Sequence, residues 1–298
     1  MLETKFLNKT LKNPLLVASG TFGYGTEFTP YMDVTKLGGL ISKGLTIREK
    51  AGNSGIRIHE TASGIMNSIG LQNPGIEHFI KYELPEMRKL NDYVVANLGG
   101  NSMQDYIDGA RLLNEVDVDA IELNISCPNV KEGGMAFGII CSDAEMVVRE
   151  IRKTTDKPLI VKLSPNAHEL TRMAKTLEDV GADALSLVNT FNAIAIDVER
   201  QKPIFDNVTA GLSGPAIKPI ALRMVRDVCK SVKIPVIGIG GIMNANDVLE
   251  YIMVGATLVE LGTVNLVNPS AAEEIIDGLN DYMNRHNLKN LDEIRGII

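Results

Sequence analysis

Residues 121–138 read I-E-L-N-I-S-C-P-N-V-K-E-G-G-M-A-F-G. With Ala120 in front, the stretch opens as a short apolar run, Ala120-Ile121-Glu122-Leu123, of the kind that forms a buried strand. It then stops on four groups that chemistry can use: Asn124, Ser126, Cys127 and Asn129. Pro128 has no backbone N–H and restricts Cys127 to extended conformations. The Gly133-Gly134 pair makes the following loop pliant. A thiol is thereby set at a strand end, between two amides, beneath a loop able to move. The thiolate is the reactive form, and an unperturbed Cys ionises near ~8.5. Such a group can serve as nucleophile or general base. The plainer reading, a small buried residue closing a strand, stands beside it, because unpaired Cys is among the most buried residue types.

Working outward, the same apolar run recurs. Candidate strands are 15–19, 39–42, 93–97, 120–124, 159–163, 184–188, 236–240 and 258–261. Candidate helices lie between and after them, near 26–37, 76–90, 103–116, 143–154, 170–180, 217–231, 246–253 and 271–284. Repeated β-α pairing implies a parallel sheet with helices outside it, and eight such units imply a closed (β/α)8 barrel, a TIM barrel, of ordinary size. An open doubly wound sheet is the competing arrangement, but no G-x-G-x-x-G follows the first strand. The chain is expected to form a single domain over 1–298. Long connections after strands 2, 4 and 6 would cover the C-terminal face, where barrel enzymes build their sites. The segment before Leu15, with Phe6 and Leu11, is expected to pack across the other end.

Composition narrows the function class. The 298 residues are 45% hydrophobic and 22% charged, with a formal net charge of −7, so no general attraction to nucleic acid or acidic lipid is expected. Three cysteines without a C-x-x-C pair argue against a disulfide framework and against a Cys-held cluster or zinc site in this chain. No signal-peptide pattern opens the chain, and no apolar run reaches the ~18–20 residues of a membrane helix. A cytoplasmic enzyme or binding protein is the expectation. The four histidines have no metal-ligand spacing, and no metal is expected. Cys141 and Cys229 read as packing residues, and 289–295 as a solvated helix.

The C-terminal strand ends give a coherent set: Ser19 and Gly20, Lys43 and Gly44, Asn97, Asn124, Lys162, Asn189 and Thr190, Gly240 and Gly241, Gly262 and Thr263. The last two loops fit a phosphate site, since barrels often bind phosphate between the loops after strands seven and eight. Glycines there let the backbone approach closely, Thr263 adds a hydroxyl, and Asn244 or Asn246 could cap the next helix. A lone Gly-Gly would read as a tight turn. Lys43 and Lys162 need partners, because Lys is almost never fully buried alone. Either a carboxylate such as Glu122 or a ligand could supply them. A phosphate-bearing ring that accumulates negative charge would require such a cation. Asn67, Asn97, Asn124, Asn129 and Asn189 would converge on the same mouth, and amides, which both donate and accept, suit a flat ring lined with C=O and N–H groups.

Taken together, S-K-G-L-T, N-S-I-G-L-Q-N-P-G, N-I-S-C-P-N-V-K-E-G-G-M-A-F-G, V-K-L-S-P-N, G-L-S-G-P-A and G-I-G-G-I make the chain resemble the class 1 dihydroorotate dehydrogenases over nearly its whole length, and within them the NAD-linked B-type catalytic chains. The resemblance implies an FMN-containing barrel that oxidises (S)-dihydroorotate to orotate in pyrimidine synthesis. It implies a partner subunit, carrying FAD and a 2Fe–2S cluster, that passes electrons to NAD in an assembly of two catalytic and two electron-transfer chains around a homodimer core. By the same resemblance Cys127 matches the catalytic base. Lys43, Asn67, Ser68, Ile69, Gly70, Leu71, Asn124, Asn129, Asn189 and Thr190 match substrate contacts. Ser19, Lys43, Gly44, Asn97, Asn124, Lys162, Val188, Gly214, Gly240, Gly241, Gly262 and Thr263 match FMN contacts. Ile139-Ile140-Cys141 departs from the T-D-P that relatives often carry after F-G, which bears on how the preceding loop moves.

The implied chemistry removes a proton from C5 of dihydroorotate, taken by the Cys127 thiolate, and a hydride from C6, received by FMN, with Lys162 facing the charge that builds on the flavin. Other arrangements share these residues or the fold: a fumarate-linked homodimeric enzyme of the same family, a flavin barrel reducing another pyrimidine such as uracil or a tRNA base, and a non-catalytic barrel binding a phosphate ligand. The net charge of −7 and the lack of a basic tract count against the tRNA substrate.

Overall fold

The computed structural model describes residues 2–125 and 137–298. Eight parallel strands form one sheet: β1 Leu15–Val17, β2 Leu40–Ile41, β3 Val94–Leu98, β4 Ala120–Asn124, β5 Leu159–Lys162, β6 Ala184–Leu187, β7 Val236–Ile239 and β8 Leu258–Leu261. Their order around the sheet is β1-β8-β7-β6-β5-β4-β3-β2. Each strand therefore lies beside its neighbour in sequence, and only β1 and β8 join across the chain's two ends. β1 and β2 share no ladder, but the Gly38 N–H donates to the Leu15 carbonyl (3.0 Å) and brings the two ends of the sheet together. A side chain at Gly38 would meet the Asn13 carbonyl oxygen at 2.2 Å, so the approach requires glycine. The result is the expected (β/α)8 barrel.

Residue alternation within the strands sets the layers. One set of residues faces outward and packs beneath the helices, as with Leu15, Val17, Val94, Ile121, Leu123, Val161 and Leu185. The other set points inward. Near the N-terminal ends it forms an apolar floor of Leu16, Ile41, Val95, Ala120, Ile160, Ala184, Ile237 and Leu258. The N-terminal hairpin, Thr4–Phe6 paired with Lys9–Leu11, closes this floor from below: Phe6 and Leu11 are buried in the same cluster, and Phe6 meets Tyr93 edge-on at 6.3 Å. This is the packing expected for that segment.

Two residues further along six of the eight strands, the inward positions change character. Ile41, Val95, Ala120, Ile160, Ala184 and Leu258 are followed at i+2 by Lys43, Asn97, Glu122, Lys162, Ser186 and Glu260. The barrel thus carries an apolar floor with a polar and charged layer above it, toward the C-terminal face.

Three expectations are corrected. The segment 26–37 forms two short 3-10 turns, Thr26–Phe28 and Val34–Lys36, instead of a helix. Pro30 lacks the N–H a continuous helix needs and restricts Thr29 before it. The excursions after strands 2 and 6 are more than loops. Ile58–Thr61 and Gly64–Asn67 from the first join Phe191–Ile194 and Thr209–Ser213 from the second in one four-stranded antiparallel sheet. The stretch 289–295 contains a 3-10 turn, Leu291–Ile294, whose Leu291 and Ile294 are buried, so it is docked and not a solvated helix.

Candidate functional site

The charged layer is tightly interlocked. Lys162 Nζ lies 2.8 Å from Glu260 Oε2 and 3.5 Å from Glu122 Oε2. Glu122 Oε1 accepts from Ser186 Oγ at 2.7 Å, and its Oε2 accepts from Asn97 Nδ2 at 2.5 Å. The Asn97 backbone N–H donates to Ser42 Oγ (3.0 Å), and Asn124 Nδ2 reaches toward Asn97 Oδ1 at 3.5 Å. Tyr106 OH donates to the Asn124 carbonyl at 2.8 Å. Glu122 and Glu260 are wholly buried, and Lys162 is 4% exposed. Burial alone would push Glu122 up, but the Lys162 charge and hydrogen bonds from Glu260, Ser186 and Asn97 hold it below the usual carboxylate range. Glu260 is pushed well up, first by burial and then by the charge of Glu122. Burial opposes the charge on Lys162, and the two carboxyl groups more than offset it, so its pKa is raised. The shorter contact is to Glu260, yet the donors converge on Glu122, which makes Glu122 the anion.

The lysine partners resolve differently. For Lys162 the carboxylate alternative holds: Glu122 and Glu260 both pair with it. Glu260 was missed, although a charge inside the apolar run L-V-E-L of β8 is itself the signal. Lys43 is half-buried, and its ammonium has no ion-pair or hydrogen-bond partner among the described residues.

Above this layer, three loops meet. Gly240 and Gly241 follow β7 with φ of 131° and 67°, and a side chain at Gly241 would strike Lys218 Cβ at 2.7 Å and the Gly214 carbonyl oxygen at 2.9 Å. Gly214 is thus brought against Gly241. Tyr251 OH donates to the Gly240 carbonyl (2.7 Å) and fixes this turn. A side chain at Gly262 would meet only Ala18 Cβ, at 3.7 Å, so the loop after β8 opens on free space. Thr263 Oγ1 donates to Ser213 Oγ at 2.8 Å, a neighbour absent from the candidate residues. Asp247 accepts from the Met243 and Asn244 N–H groups, and Asn244 caps the helix Ala245–Met253. By contrast the N–H groups of Gly241, Thr263 and Val264 have no acceptor among the described residues. Unpaired N–H groups in a glycine-lined hollow are what a phosphate group requires.

The excursion sheet places the remaining candidates. Asn67 Nδ2 donates to the Gly211 carbonyl (3.2 Å), so its side chain ties the two excursions together. Ser68 is buried, its hydroxyl accepting from Asn53 (3.0 Å) and Asn207 (3.1 Å). Ile69 is half-buried, and Gly70 and Leu71 turn the chain with φ of 77° and 55°. The Leu71 side chain lies over Gly44, where any Cβ would meet it at 2.8 Å. Asn189 Oδ1 accepts from the Thr190 N–H at 2.7 Å, Val188 is buried and Ser19 is half-buried at the end of β1. Cys127 and Asn129, with Ser126 and Pro128, lie outside the described residues. Cys141 Sγ sits 3.4 Å from Thr176 Oγ1, and burial pushes the Cys229 thiol up to about 12, as suits packing residues.

A (β/α)8 barrel with a buried lysine–carboxylate layer and glycine-lined loops after β7 and β8 is the architecture of a barrel enzyme with its site at the C-terminal face. The chain belongs to the dihydroorotate dehydrogenase family, whose model matches residues 1–283. It is 56% identical over 300 aligned residues to the "dihydroorotate dehydrogenase B (NAD(+)), catalytic subunit" of Petrotoga mobilis, with all of both chains covered. Proteins of the same name from Geobacter sp. (strain M21) and Bacteroides fragilis are 51% and 48% identical, each match covering 97% of this chain and 95% of the relative.

Proposed function

We propose that the chain oxidises (S)-dihydroorotate to orotate in pyrimidine synthesis, as an FMN-binding barrel spanning 1–298, and passes electrons through a partner FAD and 2Fe–2S subunit to NAD. The full-length likeness to B-type catalytic subunits carries this reading. The residues present fit FMN. Gly214, Gly240, Gly241, Gly262 and Thr263 would hold its phosphate through their backbone N–H groups and a hydroxyl. Ser19, Lys43, Gly44, Asn97, Asn124 and Val188 would line its ring, with Lys162 as the buried cation.

FMN, when bound, supplies the hydride acceptor. The chain's own residues do the rest. Asn67, Asn124, Asn129 and Asn189, with Thr190, donate and accept around the pyrimidine ring and hold it flat. Lys43, whose ammonium has no partner among the described residues, and the N–H groups of Ile69, Gly70 and Leu71 bind the substrate carboxylate, with Ser68 buried behind them. Cys127, as thiolate, takes the C5 proton as the C6 hydride departs, and the C5=C6 bond forms. Such base help contributes ~10²–10⁴-fold. Two catalytic and two electron-transfer chains around a homodimer core, in the cytoplasm, complete the proposal.

The test is the visible spectrum of the purified chain before and after anaerobic dihydroorotate. A flavin spectrum that bleaches is expected, with NAD then serving as acceptor only when the partner subunit is added. A colourless protein that FMN cannot reconstitute would overturn the reading, and efficient turnover with fumarate alone would move the chain to the homodimeric branch of the family.

A further inference from the structure

The buried cluster holds two carboxyl groups and one ammonium, yet its hydrogen bonds support only one carboxylate. Glu122 receives three donors: Ser186 at 2.7 Å, Asn97 at 2.5 Å and Lys162 at 3.5 Å. Glu260 receives one, Lys162 at 2.8 Å on Oε2, while its Oε1 is buried without any donor. An ionised oxygen with no donor in a dry interior is costly, whereas a protonated carboxyl has a hydrogen to give. Glu260 Oε2 and Glu122 Oε2 share the Lys162 ammonium, at 2.8 and 3.5 Å, which sets Glu122 beside it as the anion of the pair. The same balance follows from charge. The charged groups of this inward layer, among the described residues, are Lys43 from β2's end, Glu122 on β4, Lys162 on β5 and Glu260 on β8. A protonated Glu260 leaves the layer with one net positive charge, and an ionised one cancels it.

We propose that Glu260 is the proton-carrying member of the cluster and a positioning residue for Lys162. As a neutral acid it accepts the ammonium on one oxygen, gives its hydrogen to Glu122, and leaves the cation answered by one carboxylate instead of two. Its purpose rests on the FMN reading above: a layer with a net positive charge favours negative charge accumulating in the mouth. A second anion beneath the same mouth would work against it.

The test uses the FMN-loaded full chain with carbon-13-labelled glutamate. The wild-type infrared spectrum at neutral pH should contain a carboxylic-acid carbonyl band that shifts with the label and in D₂O and is lost in Glu260→Gln. The midpoint potential of the bound flavin should stay near the wild-type value in Glu260→Gln, a neutral group replacing a neutral group. The Glu122→Gln/Glu260→Gln double variant removes the one anion and should move the potential positive, setting the scale. A Glu260→Gln shift matching that of the double variant, or a labelled acid band that persists in Glu260→Gln, overturns the proposal. If Glu260→Gln does not fold, the wild-type spectrum decides, since absence of a labelled acid band would be fatal. A protein that takes no flavin would sink the functional reading alone, because the infrared result still locates the proton.

Discussion

Replacing Lys162 with Met removes the cation while keeping most of the side-chain volume, which isolates electrostatics from packing. Glu122 would keep Ser186, Asn97 and the Glu260 hydrogen as donors but lose the charge that holds its pKa down. Wholly buried and without that ammonium, it must enter the folded state protonated. An unfolded Glu ionises near ~4.3, so taking up that proton at neutral pH spans about 2.7 pH units at about 1.4 kcal/mol each. The deficit is on the order of 4 kcal/mol, within the ~3–5 kcal/mol typical of breaking a buried pair from one side. The sign is specific. In the variant the folded pKa of Glu122 is raised, so its contribution is intact below ~4.3 and lost as pH rises. In the wild type it is depressed, so its contribution is present above ~4.3 and lost as pH falls. The stability gap between the two should widen by about 1.4 kcal/mol per pH unit from pH 5 to 7. Urea unfolding of both proteins across that range measures it. A gap independent of pH, or one under about 1 kcal/mol at pH 7, would refute the assignment of Glu122 as the buried anion.

Other expectations follow from the same geometry. Cys127→Ala should stay yellow yet be reduced by dihydroorotate ~10²–10⁴-fold more slowly, while wild-type reduction should accelerate with pH as the thiol ionises; stopped-flow absorbance checks both. Gly241→Ala places a side chain at φ 67° and 2.7 Å from Lys218 Cβ, so about 1–2 kcal/mol of backbone strain plus the clash should weaken FMN binding at least about tenfold in a fluorescence titration. Phe6→Ala empties part of the barrel floor and should cost about 3–5 kcal/mol in denaturant unfolding while leaving the flavin spectrum unchanged, since the floor lies at the end opposite the mouth.

The barrel was legible because its strands are buried on both faces and so read as continuous apolar runs, as in L-I-V-K and V-I-G-I. The strand ends were legible for the opposite reason, since polar residues that close apolar runs stand out. The excursion sheet was not. Ile58–Thr61 and Phe191–Ile194 are four-residue strands with half their positions exposed, and Ile58 and Ile194 point to solvent, so no apolar face marked them. Each pairs with a strand close by in sequence, but the two hairpins become one sheet only through Gly64–Asn67 meeting Thr209–Ser213, more than a hundred residues apart, which no local pattern encodes. Glu260 was overlooked for a different reason. Its meaning depends on Lys162 and Glu122, which reach it only once the sheet has curled, whereas Glu122, beside the conspicuous Asn124, was already a named partner. The 26–37 segment shows periodicity losing to a single Pro30.

The four-stranded sheet over the mouth also orders events in time. Its central pairing sets Asn67, Met66 and Ile65 against Gly211, Leu212 and Ser213, contacts that close a span of roughly half the chain. Such distant pairings form late, after the local β-α units that lie between them have condensed. A chain emerging in order from its N-terminus can build the first six strands while the 58–67 hairpin still lacks its partner strand, Thr209–Ser213. The proposed phosphate hollow would need β7 and β8, later still. Cofactor capture is therefore a property of the finished chain, and the yellow colour of the protein would report that its last third has folded onto its first.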